Sequence, residues 1–269
     1  MSRRFHYGPW LAIAAVVAAG ALLWKFYPRQ APADVVVPEP EPVAMVEQAP
    51  PVQHPIDEVP VLPEEAPAEP LPALADSDGA ALAVLAELLG EDVTAFLRGE
   101  FLIQRLVATI DNLPRSRMAP PAYAGKPLAG GLVVGTSDGR HWLDEANFAR
   151  YEVPVRLLEA VDARALVSAY VRFYPLFQQA YRELGVHDRQ FNDRLVEVVD
   201  HLLAAPEPAG PIELLPAEGK PRWEFADPRM EASSIGHKLM WRIGPDHAAR
   251  VKARLRELRA LLAGQAPAG

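Results

Sequence analysis

The sequence contains no cysteine, and its first 27 residues contain no acidic side chain. The lack of cysteine excludes disulfide bonds, thiol nucleophiles and zinc sites built on thiolates. The whole chain has a net charge of −8, so it lacks the surplus of lysine and arginine that nucleic-acid phosphates require. We therefore expect no nucleic-acid partner, and no motif indicates a cofactor or a metal.

One stretch near the N-terminus is long enough to cross a bilayer. Residues 10–24 read WLAIAAVVAAGALLW and carry no charge. Extended to residue 27, the run gives about 27 Å of helix against a bilayer core of about 30 Å. Trp10 and Trp24 bracket it, as aromatic belts do at membrane interfaces. The sequence predicts a single-pass transmembrane anchor at 10–27 in contact with the lipid bilayer, behind a short flank at 1–9.

A cleaved signal peptide is the alternative, because Ala-x-Ala occurs at 31–33. Lys25 and Arg29 between the apolar run and this site, and Pro32 inside it, favour the uncleaved anchor. The short N-terminal flank favours a cytoplasmic N-terminus. The expected location is therefore the bacterial inner membrane, with the C-terminal domain in the periplasm.

Residues 28–72 are dominated by proline and acid. They contain thirteen prolines, and nine acids against Arg29 alone. Proline lacks the N–H that helices and central strands use, and like charges with few aromatics leave little to bury. The composition predicts a disordered tether rich in Pro, Glu and Ala.

Residues 74–263 predict one mostly α-helical domain with a small β-hairpin or short strands, followed by a disordered tail at 264–269. Apolar residues at helical spacing precede Gly90, and an aromatic stripe runs between Asp162 and Gly185. The stretch 130–144 reads as two strands about a Ser-Asp-Gly turn. Its G-x-S-x-G match at 135–139 lacks the helix that follows a hydrolase nucleophile, so we interpret Ser137 as part of a hairpin tip.

The stretch FNDRLVEVVDHLL at 191–203 places two acids and a histidine, Asp193, Glu197 and His201, on one side of a helix. The apolar residues of the same stretch fall on the opposite side, as in any amphipathic helix. We predict a solvated face with an i,i+4 Glu197–His201 pair. The alternative is an envelope hydrolase that uses these carboxylates and the histidine.

A cationic row follows in the last predicted helix. Lys252, Arg256 and Arg259 recur at i, i+4 and i+7 beside the apolar stripe. Our hypothesis is that this row binds an acidic surface. That surface is anionic lipid, a partner protein or the acidic tether. The other interpretation is a solvated face whose cations suit a helix C-terminus.

Several stretches resemble one known family: DNLPR at 111–115, NFARY at 147–151, YPLFQQAYRELG at 174–185 and FADPRMEASSIGHKLMWRIGP at 225–245. The chain resembles the proteobacterial domain of unknown function 3014. The resemblance implies one membrane span, a proline-rich spacer and one C-terminal domain, and it supplies no catalytic residues. We expect a membrane-tethered cell-envelope protein that binds a protein or an envelope component, rather than an enzyme.

Overall fold

A computed structural model describes residues 50–63, 70–220 and 222–265, all within one compact unit that begins at Ala49. The predicted anchor at 10–27, the flank before it and the predicted tether up to residue 49 lie outside these ranges. In the described ranges, no helix has both the length and the apolar composition that a bilayer crossing needs.

The described part is mostly helical, which confirms the predicted class. Its α-helices are α1 (Asp78–Leu89), α2 (Val93–Phe96), α3 (Leu102–Asn112), α4 (Glu152–Ala160), α5 (Ala163–Glu183), α6 (Phe191–Leu203), α7 (Pro228–Ala232), α8 (Ile235–Arg242) and α9 (Pro245–Leu262). Its strands are β1 (Val134–Ser137), β2 (Arg140–Leu143), β3 (Glu213–Pro216) and β4 (Trp223–Phe225). Short 3-10 helices lie at Ile56–Glu58, Leu74–Asp76, Pro120–Ala122 and Glu145–Tyr151.

The four strands form one antiparallel sheet in the order β1-β2-β3-β4. Asp138 and Gly139 form the turn between β1 and β2 with φ of 52° and 72°, as expected for a tight two-residue hairpin. The predicted hairpin is confirmed, and Ser137 ends a strand rather than opening a helix. β3 pairs with β4, with Leu214 opposite Phe225.

The main core lies between α1, α3, α5 and the start of α6. The aromatic stripe of α5 enters it, and Tyr181 and Phe191 are completely or almost completely buried. Pro175 lies inside α5, which continues without a break to Glu183. Phe173 and Tyr181 are buried on either side of Pro175, so packing outweighs the hydrogen bond that proline cannot make.

After Gly90 the chain forms two helices, α2 and α3. Phe101 has a left-handed φ of 54° at the start of α3. The Asp78 carboxylate accepts hydrogen bonds from the N–H groups of Phe101 and Leu102, at 2.8 and 2.7 Å. Asp78, the first residue of α1, therefore caps the neighbouring helix α3.

The folded domain begins before residue 74, which corrects the predicted tether. Residues 50–63, here called the strap, lie against α5, α6 and the end of α9. Val59 is only 5% exposed and packs on Val167 and Leu261. Burial of apolar side chains such as Val59 fixes a chain segment that has neither a long helix nor a strand.

Two residues of the predicted tail belong to the folded domain. Gly264 (φ 69°) and Gln265 form the C-terminal turn of α9, with the Gln265 N–H donating to the Ala260 carbonyl at 2.9 Å. This is the usual glycine-terminated end of a helix. Residues 266–269 lie outside the described ranges.

Candidate functional site

The first candidate, the acid and histidine face of α6, does not have the predicted exposure. Asp193 is 8% exposed because the strap covers it. Its carboxylate accepts hydrogen bonds from the N–H groups of Gln53 at 3.1 Å and His54 at 2.7 Å. The adjacent Asn192 donates to the His54 carbonyl at 2.9 Å. Asp193 thus holds the strap to α6, and the prediction that it faces solvent is wrong.

Glu197 and His201 have other partners than each other. Glu197 pairs with Arg189 and Arg194, and Arg194 also binds Asp111 at 2.9 Å. The His201 Nε2 lies 2.7 Å from the Ser234 hydroxyl oxygen. The predicted Glu197–His201 pair is therefore wrong, because Glu197 pairs with the two arginines and His201 with Ser234.

Two histidines connect α6 to α8. The rings of His201 and His237 stack with centroids 4.2 Å apart, and Ser234 caps α8 by accepting from the His237 N–H. Burial, with the neighbouring His237 and Arg194, lowers the pKa of His201 below its ordinary value. The His201 imidazole thus contacts the residue that caps α8, which is a structural task.

The three residues of the hydrolase alternative do not converge on one point. Asp193 binds strap amides, Glu197 binds arginines and His201 binds Ser234. Across the described ranges, no group of three or more histidine, aspartate or glutamate side chains is arranged to hold a metal ion. The face of α6 joins the strap, α3 and α8 to each other.

The second candidate, the cationic row of α9, is partly used inside the domain. Lys252 donates to the Ala205 carbonyl at 2.6 Å, and Arg259 binds the Asp200 carboxylate, with one contact at 2.9 Å. Arg256 is exposed. Lys252 and Arg259 thus tie α9 to α6 and to the segment that follows it. The role of the row in partner binding remains a prediction.

A third candidate emerges only from the fold. A polar cleft of about 790 Å³ opens between the segment 116–123, β4, α7 and α8. Its charged lining consists of Arg117, Lys220, Arg222, Lys238, Arg242, Glu224 and Glu231. Five cations against two acids give a local charge of +3 in a chain of −8. We call this feature the cationic cleft.

Both acids of the cationic cleft are already paired. Glu224 pairs with Arg222 at the surface. Glu231 accepts from Lys238 at 3.0 Å and from the Phe225 N–H at 3.1 Å. Burial alone would raise the pKa of Glu231, but these two hydrogen bonds and the nearby cations lower it. The Glu231 carboxylate is therefore already bound by Lys238 and by the Phe225 N–H.

The remaining cations are available to a ligand. Arg117 and Lys220 are exposed, and neither has an ion-pair partner in the part of the chain that the structure describes. The Arg242 guanidinium lies 5.4 Å from the centroid of the Phe225 ring, which orients it without neutralising it. Tyr123 and Trp223 add aromatic surface to the same lining. The arrangement suits an anionic ligand with some apolar surface.

Sequence reasoning did not find the cationic cleft. Its cations come from the loop after α3, the turn before β4 and helix α8, more than 120 residues apart at the extremes. The cationic row that the sequence predicted, Lys252, Arg256 and Arg259, lies on α9 and does not line this cleft. Only the packing of β4 beside α8 brings the five cations together.

The fold defines a mostly helical domain that carries a small antiparallel sheet and a cationic cleft at one sheet edge. Residues 102–259 match the family model described as Protein of unknown function (DUF3014), and the chain belongs to this family. The match contains every residue of the cationic cleft and none of the strap. Neither the curated proteins nor the solved structures contain a match to the chain.

Proposed function

We propose that this protein is a membrane-tethered cell-envelope protein whose folded domain binds an anionic partner in the cationic cleft. The observation that carries the proposal is the local charge of +3 in a concave site on an acidic chain. Pockets of several hundred Å³ with a few convergent charged groups are the usual form of ligand sites. Opposite charge in such a site raises the association rate and selects the partner.

The tethering part of the proposal is supported by the sequence. The uncharged run at 10–24 has the length and the aromatic ends of a membrane span. The proline-rich residues after it would separate the domain from the bilayer. The proposed location is the bacterial inner membrane, with a single span and a periplasmic domain.

The topology is tested with a reporter enzyme that is active only outside the cytoplasm, fused after residue 269. We expect activity in intact cells, because the proposed domain lies beyond the membrane. The chain should also stay in the membrane fraction after alkaline extraction, since a spanning helix resists it. An inactive reporter, or release of a shortened soluble chain, would contradict the proposal.

The binding site is tested by charge reversal in the full chain purified in detergent. The probes are fluorescent acidic oligomers: a peptide of alternating Glu and Val, and an oligogalacturonate with an equal number of carboxylates. Arg117→Glu with Lys220→Glu should weaken binding at least tenfold, because both cations are exposed and neither forms an ion pair within the described ranges. Raising the salt concentration should weaken the wild type and have less effect on the variant.

The control is Arg256→Glu, which reverses an exposed cation on α9 outside the cationic cleft. We expect it to bind both probes like the wild type. Equal loss in the control and in the double variant would show only a general charge effect. Failure of every acidic probe to bind would overturn the proposed function.

A further inference from the structure

One edge of the sheet opens into the cationic cleft. β4 is the last strand in the sheet order, and Trp223 at its start lines the cleft. A sheet edge presents backbone N–H and C=O groups that can pair with another chain. The direction of these groups depends on the register between β3 and β4.

The register turns the backbone of Trp223 towards the open edge. Ala217 donates to the Arg222 carbonyl at 2.9 Å, and Ala226 donates to the Glu213 carbonyl at 2.9 Å. Residues that face the partner strand alternate along an antiparallel pair. The backbone groups of 222, 224 and 226 therefore face β3, and those of Trp223 and Phe225 face away from it.

A side chain covers half of this edge. The Phe225 N–H donates to the Glu231 carboxylate, which Lys238 holds in place from α8. Proteins commonly protect exposed edges with charged side chains in this way. The protection reaches Phe225 and leaves the backbone of Trp223 facing the cleft. Around Trp223 lie the unpaired cations of the cationic cleft.

An extended acidic peptide fits this combination better than other anionic ligands. Such a peptide offers the backbone groups that pair with a strand edge, and alternate side chains then enter adjacent pockets. Its carboxylates would meet Arg117, Lys220 and Arg242, and its apolar side chains would meet Trp223 and Tyr123. A glycan has carboxylates but no backbone amides to pair with Trp223.

We propose that the cationic cleft binds an extended acidic peptide, which adds a fifth strand to the sheet through the backbone of Trp223. The proposal rests on the proposed function, since it names the partner of the same site. The geometry that carries it is the edge strand that faces a positively charged concave surface.

The first experiment compares three probes on the full wild-type chain in detergent. They are the alternating Glu-Val peptide, the same peptide with every backbone nitrogen methylated, and the oligogalacturonate of equal charge. We expect the methylated peptide to bind at least tenfold more weakly than the parent, because it keeps all carboxylates but loses every N–H. The oligogalacturonate should also bind at least tenfold more weakly.

A matched pair of variants tests the protein side of the same contact. Trp223→Pro removes the edge N–H, while Trp223→Ala removes only the indole. Proline is tolerated where an edge N–H faces outward, and Pro216 already occupies the position opposite. The proline variant should bind the parent peptide at least fivefold more weakly than the alanine variant. Circular dichroism checks that both variants fold, and the three-probe comparison decides if the proline variant does not.

The outcomes separate the two proposals. Equal binding of the parent and methylated peptides, or of the two Trp223 variants, would overturn strand addition and leave the proposal of an anionic partner in the cationic cleft standing. Strong binding of the oligogalacturonate without the peptide would overturn the peptide assignment alone. No binding of any acidic probe would overturn both.

Discussion

Removal of the strap should destabilise the domain strongly. A chain that begins at residue 64 is expected to unfold with a free energy about 3 kcal/mol lower than a chain that begins at residue 50. Val59 is buried and Ile56 packs against two core clusters, and burial of each such side chain contributes about 1.5–3 kcal/mol. Urea unfolding followed by circular dichroism measures the difference. For a domain of this size it corresponds to a melting temperature roughly 10 °C lower.

A point variant shows whether the hydrogen bonds of Asp193 are part of that effect. Asp193→Ala should cost about 2 kcal/mol in the chain that begins at residue 50, because the amides of Gln53 and His54 lose a charged acceptor. In the chain that begins at residue 64 these amides are gone, so the same change should cost far less. Asp188→Ala, an exposed acid before α6, is the control and should change neither chain.

Two results would contradict this account of the strap. Equal stability of the two shortened chains would mean that the strap contacts contribute nothing net. An equal cost of Asp193→Ala in both chains would mean that Asp193 acts within α6 rather than on the strap.

Gly244→Ala should be the most damaging glycine substitution in the domain. A Cβ at this position would lie 2.6–2.8 Å from three ring carbons of Phe148. Gly244 also has φ 88° and ψ 162°, a conformation that essentially only glycine adopts. We expect a loss of about 3–5 kcal/mol, from the backbone strain and the forced movement of Phe148.

Gly90→Ala separates these two causes. Gly90 has nearly the same backbone conformation, φ 87° and ψ 156°, and no atom lies within 4 Å of an added Cβ. Its substitution should therefore cost the strain alone, about 1–3 kcal/mol. Equal losses at the two positions in thermal unfolding would show that Phe148 yields without cost.

Substitution of Gly244 should affect the packing of several elements, because of where Gly244 lies. It joins α8 to α9, and Phe148 packs there against the cluster that contains the sheet and Trp241. A displaced Phe148 would shift α8 relative to β4. Since the cationic cleft lies between α8 and β4, we expect Gly244→Ala to weaken binding of the acidic peptide as well.

Local signals in the sequence determined the secondary structure. Asp162 caps α5, Gly185 follows its end, and Asp138-Gly139 makes the turn between β1 and β2, all as the residue types require. The aromatic stripe of α5 likewise predicted a buried face. These features depend on neighbours within about five positions along the chain, so the sequence contains the information that decides them.

Only the tertiary structure decided which polar residues are exposed and where the charge collects. Asp193 lies on the polar side of its own helix, yet it is buried because the strap, about 140 positions earlier, supplies N–H groups to it. The helical wheel places Lys252 beside the apolar stripe, where it could face solvent, but in the structure its ammonium group donates to the Ala205 carbonyl. The cationic cleft and its open strand edge combine residues from distant segments. A periodic pattern reports one element at a time, whereas burial and local charge depend on which elements pack together.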